Sequence, residues 1–302
     1  GFMYNMGGLG VETFFVLSGL LMSKILFVDK VPLGTFYRNR IARIFPVFYL
    51  YIAVITLLTA LHTTNLQPSD IAYSAVFLRT YFGDLSIWDH QVIEISHIWS
   101  LNVEEHSYLL LSILSLIVMR KNEAAARTLV TVAALLCLPF FGFYKLFPPA
   151  MDAEHFYLRT ECAGFGILVS ASFYLWRRKL QFSIPSYVPL LAMAAGYLIG
   201  GNATHGIGKY VLPPLFLAVA VNTLDVAPAW LQRLFSNRVL MWFGVCSYSL
   251  YMWQEIFFGM VLEKAPEIRT LGFCAAMAIG TFSYYCFEQP MRKLLRAPTR
   301  PR

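Results

Sequence analysis

Long apolar runs separated by short polar or basic segments occupy most of this chain. Most of the runs are near the length of about 20 residues that an α-helix needs to cross a lipid bilayer. We interpret them as about nine membrane-spanning helices, which predicts an all-α, polytopic membrane protein. The predicted spans are 10–28, 41–61, 97–119, 128–147, 157–176, 187–201, 210–224, 239–262 and 271–287. Residues 71–82 are apolar but short, and are expected to lie in the interface or to re-enter the membrane.

The composition agrees with a membrane protein rather than a soluble one. Hydrophobic residues make up 58% of the 302 residues and charged residues 14%, against about 25% charged in soluble domains. We therefore predict one membrane-embedded domain over residues 1–302. The five cysteines lie in or beside apolar runs and form no Cys-x-x-Cys pair, so we interpret them as buried thiols and predict no metal site.

The basic residues predict the orientation of the chain. A net charge of +7 could indicate a nucleic-acid partner, but Lys and Arg of membrane proteins collect in cytoplasmic segments. If the turn after the first span is cytoplasmic, most of the 24 Lys and Arg residues fall on that side. This predicts a cytoplasmic C-terminus, an external N-terminus and no nucleic-acid partner. Because nothing basic precedes the first span, we expect the intact protein to have another helix before Gly1.

Two carboxylates open the third predicted span, in the segment 99–106. An ionisable group at such a place is costly unless it faces a protein interior or a watery cavity, and it is often functional. One face of a helix would carry His97, Leu101, Glu104 and Tyr108. Since a His–Glu pair suits general-base catalysis on a hydroxyl, we predict Glu104 and His97 as catalytic residues. The simpler interpretation of His97 is a structural histidine with satisfied hydrogen bonds.

Arg40 and Arg43 lie where the second predicted span leaves the cytoplasm. Residues three apart project from one face of a helix, and two guanidinium groups can hold a phosphate through forked hydrogen bonds. Coenzyme A is a cytoplasmic ligand that carries phosphates. The alternative is that both arginines only anchor the helix on the cytoplasmic side.

Other polar residues of the apolar runs have less certain roles. Ser18 and Gly19 are small, and we interpret them as a site of close helix packing. Two roles remain possible for Glu12: it forms a structural hydrogen bond, or it belongs to the site. Glu288 is expected to pair with basic residues of the cytoplasmic face, and Pro290 to end the last helix.

Five segments resemble motifs of the acyltransferase-3 family of membrane-bound sugar O-acyltransferases, in the family's order. Residues 10–19 resemble GVDLFFVLSG, residues 36–46 resemble FYxRRxxRIxP, residues 99–105 resemble WSLxxEE, residues 247–254 resemble SYSLYLWH, and residues 288–290 resemble ExP. Together these segments extend over nearly the whole chain.

The resemblance implies a ten-helix enzyme of the inner membrane. Such an enzyme moves acyl groups from cytoplasmic acyl-CoA to extracytoplasmic or lipid-linked sugars. The family's Arg-x-x-Arg corresponds to Arg40 and Arg43, and its acid after Trp-Ser-Leu to Glu104. We predict nine spans here, whereas the family has ten, which agrees with the absence of the family's first helix from this chain. In the family that helix carries the histidine taken as catalytic. The chain also has Gln254 where the family has His, and Glu12 where it has Asp.

We therefore predict an O-acyltransferase that uses acyl-CoA, expected to be acetyl-CoA, as co-substrate and a glycan hydroxyl as acceptor. Its expected partners are membrane lipid and a glycan or lipid-linked sugar. One alternative is a transporter or exporter of a lipid-linked glycan, with the carboxylates as a proton relay. Another is a family member that has lost catalysis, which Gln254 would favour.

Overall fold

A computed structural model describes residues 2–64, 66–82, 95–118, 122–149, 155–180, 183–203, 208–264 and 269–296. Every regular element within these ranges is helical, which confirms the predicted all-α class. The α-helices are α1 Phe2–Ser23, α2 Leu33–Ala60, α3 Pro68–Ala75, α4 Arg79–Phe82, α5 Ile98–Ile117, α6 Glu123–Leu146, α7 Thr160–Ala163, α8 Phe165–Leu180, α9 Val188–Leu198, α10 Gly208–Asn222, α11 Ala229–Phe235, α12 Arg238–Lys264, α13 Arg269–Ser283 and α14 Gln289–Leu295. Short π-helical turns follow α1, α9 and α13, at Lys24–Val28, Ile199–Ala203 and Tyr284–Glu288.

Four helical segments are long and apolar enough to cross a membrane. They are Gly7–Val28, Leu33–Ala60, Glu123–Leu146 and Thr270–Leu295. The apolar helices Val188–Gly201 and Gly208–Asn222 are shorter. Large apolar side chains point outward from several of these helices, as lipid-facing residues do; examples are Leu57, Leu146, Leu198 and Leu294. The helices thus indicate a membrane protein, while the count of about nine spans stays a prediction.

The chain sorts into two compact units, each made of two stretches. Unit 1 contains residues 1–31 and 100–235, and unit 2 contains residues 32–99 and 236–302. The predicted single membrane domain over 1–302 remains a prediction.

Unit 1 is held together by close packing of α1 against α8 and α10. A Cβ atom on Gly19 would lie 2.0 Å from the backbone oxygen of Ile167, so only glycine lets the two backbones approach this closely. Buried amide and hydroxyl groups add hydrogen bonds between helices. Asn222 Nδ2 donates to Ser170 Oγ at 2.9 Å, and Ser170 Oγ donates to the backbone oxygen of Val16 at 2.5 Å.

Unit 2 pairs α12 with α13 and packs α14 against α2. Pro290 does not end the helical path, contrary to the sequence prediction. The ring lies in the first turn of α14, where the missing N–H costs nothing because that group has no intrahelical partner. The helical path runs on through the π-turn Tyr284–Glu288 into α14.

The thiols are less uniformly buried than predicted. Cys137, Cys162 and Cys246 are buried, but Cys274 and Cys286 are exposed, which corrects the prediction for these two. Helix α13 also exposes Phe273 and Phe282, so Cys274 lies on an apolar outer face that would suit a thiol in lipid. Within the described ranges, no three His, Cys, Asp or Glu side chains come together as a possible metal site.

Candidate active site

Glu104 is a buried carboxylate on the second turn of α5 in unit 1. Only 4% of Glu104 is exposed to solvent. The carboxylate oxygen Oε1 accepts a hydrogen bond from Ser18 Oγ of α1 at 3.1 Å. The same oxygen accepts a second hydrogen bond from the Tyr108 hydroxyl. Two hydroxyl donors therefore hold this carboxylate in one orientation inside unit 1.

The local sequence explains why these three groups meet. Tyr108 follows Glu104 by one helical turn, so both side chains lie on the same face of α5. Ser18 is brought by α1, and the neighbouring Gly19 lets that helix lie directly against α8. The interpretation of Ser18 as a packing residue was therefore incomplete, because its hydroxyl also holds Glu104. The only sign of this role in the sequence was a hydroxyl within an apolar run.

The residues next to Glu104 fix α5 to the rest of unit 1. The His106 ring nitrogen Nδ1 and the Thr160 hydroxyl of α7 are 2.8 Å apart and share a hydrogen bond. A Cβ atom on Gly164 would lie 3.1 Å from Ser107 Oγ, so α5 also approaches the start of α8 closely. These contacts orient the helix that carries Glu104.

Glu12 lies on α1 within the same unit. Its Oε2 atom is buried and has no hydrogen-bond partner among the described residues. A Cβ atom on Gly166, in the first turn of α8, would lie 3.0 Å from this oxygen. The structural hydrogen bond considered for Glu12 is thus not formed by Oε2 with any described residue.

His97 belongs to unit 2 and lies just before α5. It is buried, and its ring packs edge-on against Tyr51 and Tyr251, with ring centres 5.4 and 5.1 Å away. The Tyr251 hydroxyl donates to the His97 backbone oxygen at 2.8 Å. Arg79 is likewise buried in unit 2.

The His97 ring is thus packed between two tyrosine rings, but the catalytic role of His97 stays a prediction. The pairing of His97 with Glu104 also stays a prediction, since the two residues fall in different units.

Arg40 and Arg43 lie on α2 in unit 2. Arg40 is half-buried and Arg43 is exposed. Glu288, also in unit 2, is 1% exposed. Glu288 Oε2 accepts a hydrogen bond from Ser249 Oγ at 2.6 Å, and Oε1 lies 3.5 Å from an Arg292 nitrogen. The expected pairing of Glu288 with a basic residue is confirmed for Arg292, while the cytoplasmic location of this pair stays a prediction.

A family model described as an acyltransferase domain, Acyl_transf_3, matches residues 1–287. The chain belongs to the acyltransferase-3 family. This confirms the resemblance that the five motifs indicated. In this family member, Ser18 and Glu104 come from the first and third motifs and meet in unit 1, while the second, fourth and fifth motifs supply Arg43, Ser249 and Glu288 to unit 2.

Two bacterial relatives show how far the similarity extends. The chain is 24% identical to the peptidoglycan O-acetyltransferase OatA of Listeria monocytogenes, over 97% of this chain and 52% of that protein. It is also 24% identical to a Bacillus subtilis protein named "Putative peptidoglycan O-acetyltransferase YrhL", over 95% of this chain and 51% of that protein. The chain thus spans about half the length of the curated relatives it matches. No solved structure matches it significantly.

Proposed function

We propose that the protein transfers an acyl group, expected to be acetyl, from cytoplasmic acyl-CoA to a hydroxyl of an extracytoplasmic or lipid-linked glycan at the inner membrane. The observation that carries this proposal is the buried Glu104 carboxylate, fixed by two hydroxyls in a chain of the acyltransferase-3 family. The names of the two relatives make peptidoglycan the first acceptor to test.

Acyl-CoA, when bound, supplies an acyl group as a thioester: its C–S bond breaks as a C–O bond forms to the acceptor, and coenzyme A leaves as the thiol with the proton that the hydroxyl loses. Glu104 is suited to orient the acceptor hydroxyl, or a histidine beside it, and to attract its proton. Because Ser18 and Tyr108 hold the carboxylate in place, little reorientation is needed before proton transfer. His97 is the weaker candidate for the same task.

Arg40 and Arg43 fit the phosphates of the donor. They lie three residues apart on α2, and the exposed side chain of Arg43 can reach an anionic ligand. Guanidinium groups bind phosphate oxygens through paired, charge-assisted hydrogen bonds. Their role here is to bind the donor, without direct part in bond making.

The test is a transfer assay with acetyl-labelled acetyl-CoA and peptidoglycan, using the intact protein in membrane vesicles. We expect label on the glycan, and loss of that label for both Arg40→Ala and Glu104→Gln while the variants still insert. Glu104→Gln should lower the rate by at least about 100-fold, the usual size of a general-base contribution.

The matched control is Glu105→Gln, which changes the neighbouring half-buried carboxylate. This variant should lose far less transfer activity than Glu104→Gln. Full activity of Arg40→Ala would overturn the phosphate role. Movement of a lipid-linked glycan across the membrane without labelling of it would favour the transporter instead.

A further inference from the structure

We propose that Trp253 donates a hydrogen bond from its indole N–H to the thioester carbonyl oxygen of acyl-CoA, at an aromatic site in unit 2. The proposal rests on the proposed function, since it assumes that acyl-CoA is the donor of the acyl group. It assigns a task to the segment 247–254, which none of the transfer steps above uses.

The first observation is a buried indole N–H group. Trp253 lies on α12 and is 8% exposed. Its Nε1 atom is buried and has no hydrogen-bond partner among the residues that the structure describes. A buried Trp N–H usually has such a partner, and a buried donor that is left unsatisfied is costly. The group is therefore suited to a partner that the chain itself does not supply.

The second observation is what surrounds this indole. Tyr51 of α2 packs edge-on against Trp253, with ring centres 5.6 Å apart. The same Tyr51 ring contacts His97, which in turn contacts Tyr251. These four side chains form an aromatic cluster within unit 2. Sites for small ligands are typically lined in this way, by apolar and aromatic side chains with a few polar groups among them.

The third observation is the place of the aromatic cluster along α2. Tyr51 follows Arg43 by eight residues on this helix, which at 1.5 Å per residue is about 12 Å along the helix axis. The phosphates and the thioester of acyl-CoA lie toward opposite ends of an elongated molecule. Acyl-CoA that binds Arg40 and Arg43 through its phosphates and extends along α2 therefore brings its thioester toward Tyr51 and Trp253.

The chemistry of the indole favours the thioester carbonyl oxygen as its partner. An indole N–H can only donate, and a carbonyl oxygen is satisfied by one donor, whereas a buried water is usually held by about three hydrogen bonds. When the glycan hydroxyl oxygen bonds to the carbonyl carbon, a C=O electron pair moves onto the carbonyl oxygen. That pair returns as the C–S bond breaks, and the coenzyme A thiolate takes up the proton that the hydroxyl loses. A hydrogen-bond donor fixed at this oxygen stabilises the negative charge that develops there.

Trp253→Phe tests this role, because it removes the N–H group and keeps an aromatic ring. We expect kcat for acetyl transfer to fall about 100-fold, the usual effect of removing one such donor. Binding of coenzyme A itself, which has no thioester, should stay close to that of the wild type. The matched control is Trp242→Phe on the same helix, since Trp242 Nε1 already donates to the Tyr285 hydroxyl at 3.1 Å. This control should transfer acetyl at close to the wild-type rate.

A second measurement uses the wild-type protein, so it does not depend on whether a variant folds. Titration calorimetry with the purified full protein compares acetyl-CoA with S-ethyl coenzyme A, whose thioether lacks the carbonyl oxygen. We expect acetyl-CoA to bind about fivefold more tightly, the effect of one neutral hydrogen bond, and this preference to vanish in Trp253→Phe. Equal binding of the two ligands by the wild type, as a water held by the indole would give, would overturn the proposal. A preference that persists in Trp253→Phe, or equal losses of kcat in Trp253→Phe and Trp242→Phe, would overturn it as well.

The outcomes also distinguish this inference from the proposed function. Wild-type protein that prefers acetyl-CoA in a Trp253-dependent way but transfers no acetyl group would uphold the inference and overturn the proposed function. Wild-type protein that transfers acetyl but binds acetyl-CoA and S-ethyl coenzyme A equally would overturn the inference alone. Absence of binding of either ligand by the wild type would overturn both.

Discussion

At the scale of single residues, the best-defined group of the candidate site is the carboxylate of Glu104 with its two hydroxyl partners. Ser18 and Tyr108 both contact Oε1, which fixes one oxygen and so the plane of the carboxylate. For a group that must meet an acceptor hydroxyl, orientation matters as much as basicity. The serine is therefore expected to affect rate although it does no chemistry itself.

Ser18→Ala tests this expectation. The substitution leaves the backbone of α1 unchanged and removes one hydrogen bond from Glu104, so we predict a loss of transfer of about tenfold, corresponding to a contact of about 1.5 kcal/mol to a charged group. The measurement is the initial rate of glycan acetylation at saturating acetyl-CoA.

The matched control for Ser18 is Ser23→Ala. Ser23 is also buried on α1, but its hydroxyl donates to the backbone oxygen of Leu20 in the same helix. Removing it should leave transfer close to wild type. Equal losses of transfer activity in both variants would show that α1 does not tolerate alanine at either position. That result would contradict the positioning role of Ser18.

The two residues also show what a sequence can reveal at this scale. Glu104 was predicted because a carboxylate in an apolar run carries a large desolvation cost, and that cost is visible from composition alone. Ser18 could not be assigned in the same way. Its partner lies 86 positions away, and a hydroxyl in an apolar helix can equally well bond to its own backbone, as Ser23 does.

At the scale of helices, unit 1 depends on the contact between α1 and α8. Gly19→Ala tests this contact, because the new methyl group would lie 2.0 Å from the backbone oxygen of Ile167, and a backbone cannot move aside as a flexible side chain can. Overpacking of this kind costs about 1–3 kcal/mol. We predict a lower apparent Tm in detergent, measured by thermal unfolding.

Gly10→Ala on the same helix provides the comparison. A Cβ atom on Gly10 has no described neighbour within 4 Å, and alanine is the better helix former by about 1 kcal/mol. Its Tm should be equal to that of the wild type or higher. A similar fall in Tm for both variants would argue against close α1–α8 packing as the cause.

Helix type was predictable from the sequence, but helix ends were not. Apolar runs of suitable length fixed the all-α class, and α5 lies within the predicted span 97–119. The end of the last helix was predicted wrongly, because proline was expected to stop it. In the structure the helical path runs through the π-turn into α14, and the proline lies in the first turn of α14, where it is tolerated.

At the scale of the whole molecule, hydropathy alone does not fix the number of membrane crossings. Helix α9 has 11 residues, which at 1.5 Å per residue is about 16 Å, roughly half of a bilayer's hydrocarbon core. The predicted span 187–201 extends beyond α9 into the π-turn Ile199–Ala203. An apolar pattern cannot distinguish such a composite segment from a single long helix.

The orientation predicted from the basic residues can be tested directly with single cysteines. Position 34 lies at the exposed start of α2, close to Arg40 in sequence, so a cysteine introduced there by Gly34→Cys should be cytoplasmic. Lys145→Cys lies at the exposed end of α6 and should be external. The background carries Cys274→Ser and Cys286→Ser, because these are the exposed native thiols.

A membrane-impermeant maleimide applied to intact cells should label the cysteine at 145, and should label the one at 34 only after permeabilisation. The reason is that Lys and Arg of short loops are retained on the cytoplasmic side. This result would place Arg40 and Arg43 on the side where acyl-CoA is found. Labelling of the cysteine at 34 in intact cells would put both arginines outside, where no acyl-CoA reaches them, and the phosphate role would have to be given up even if the transfer activity were found.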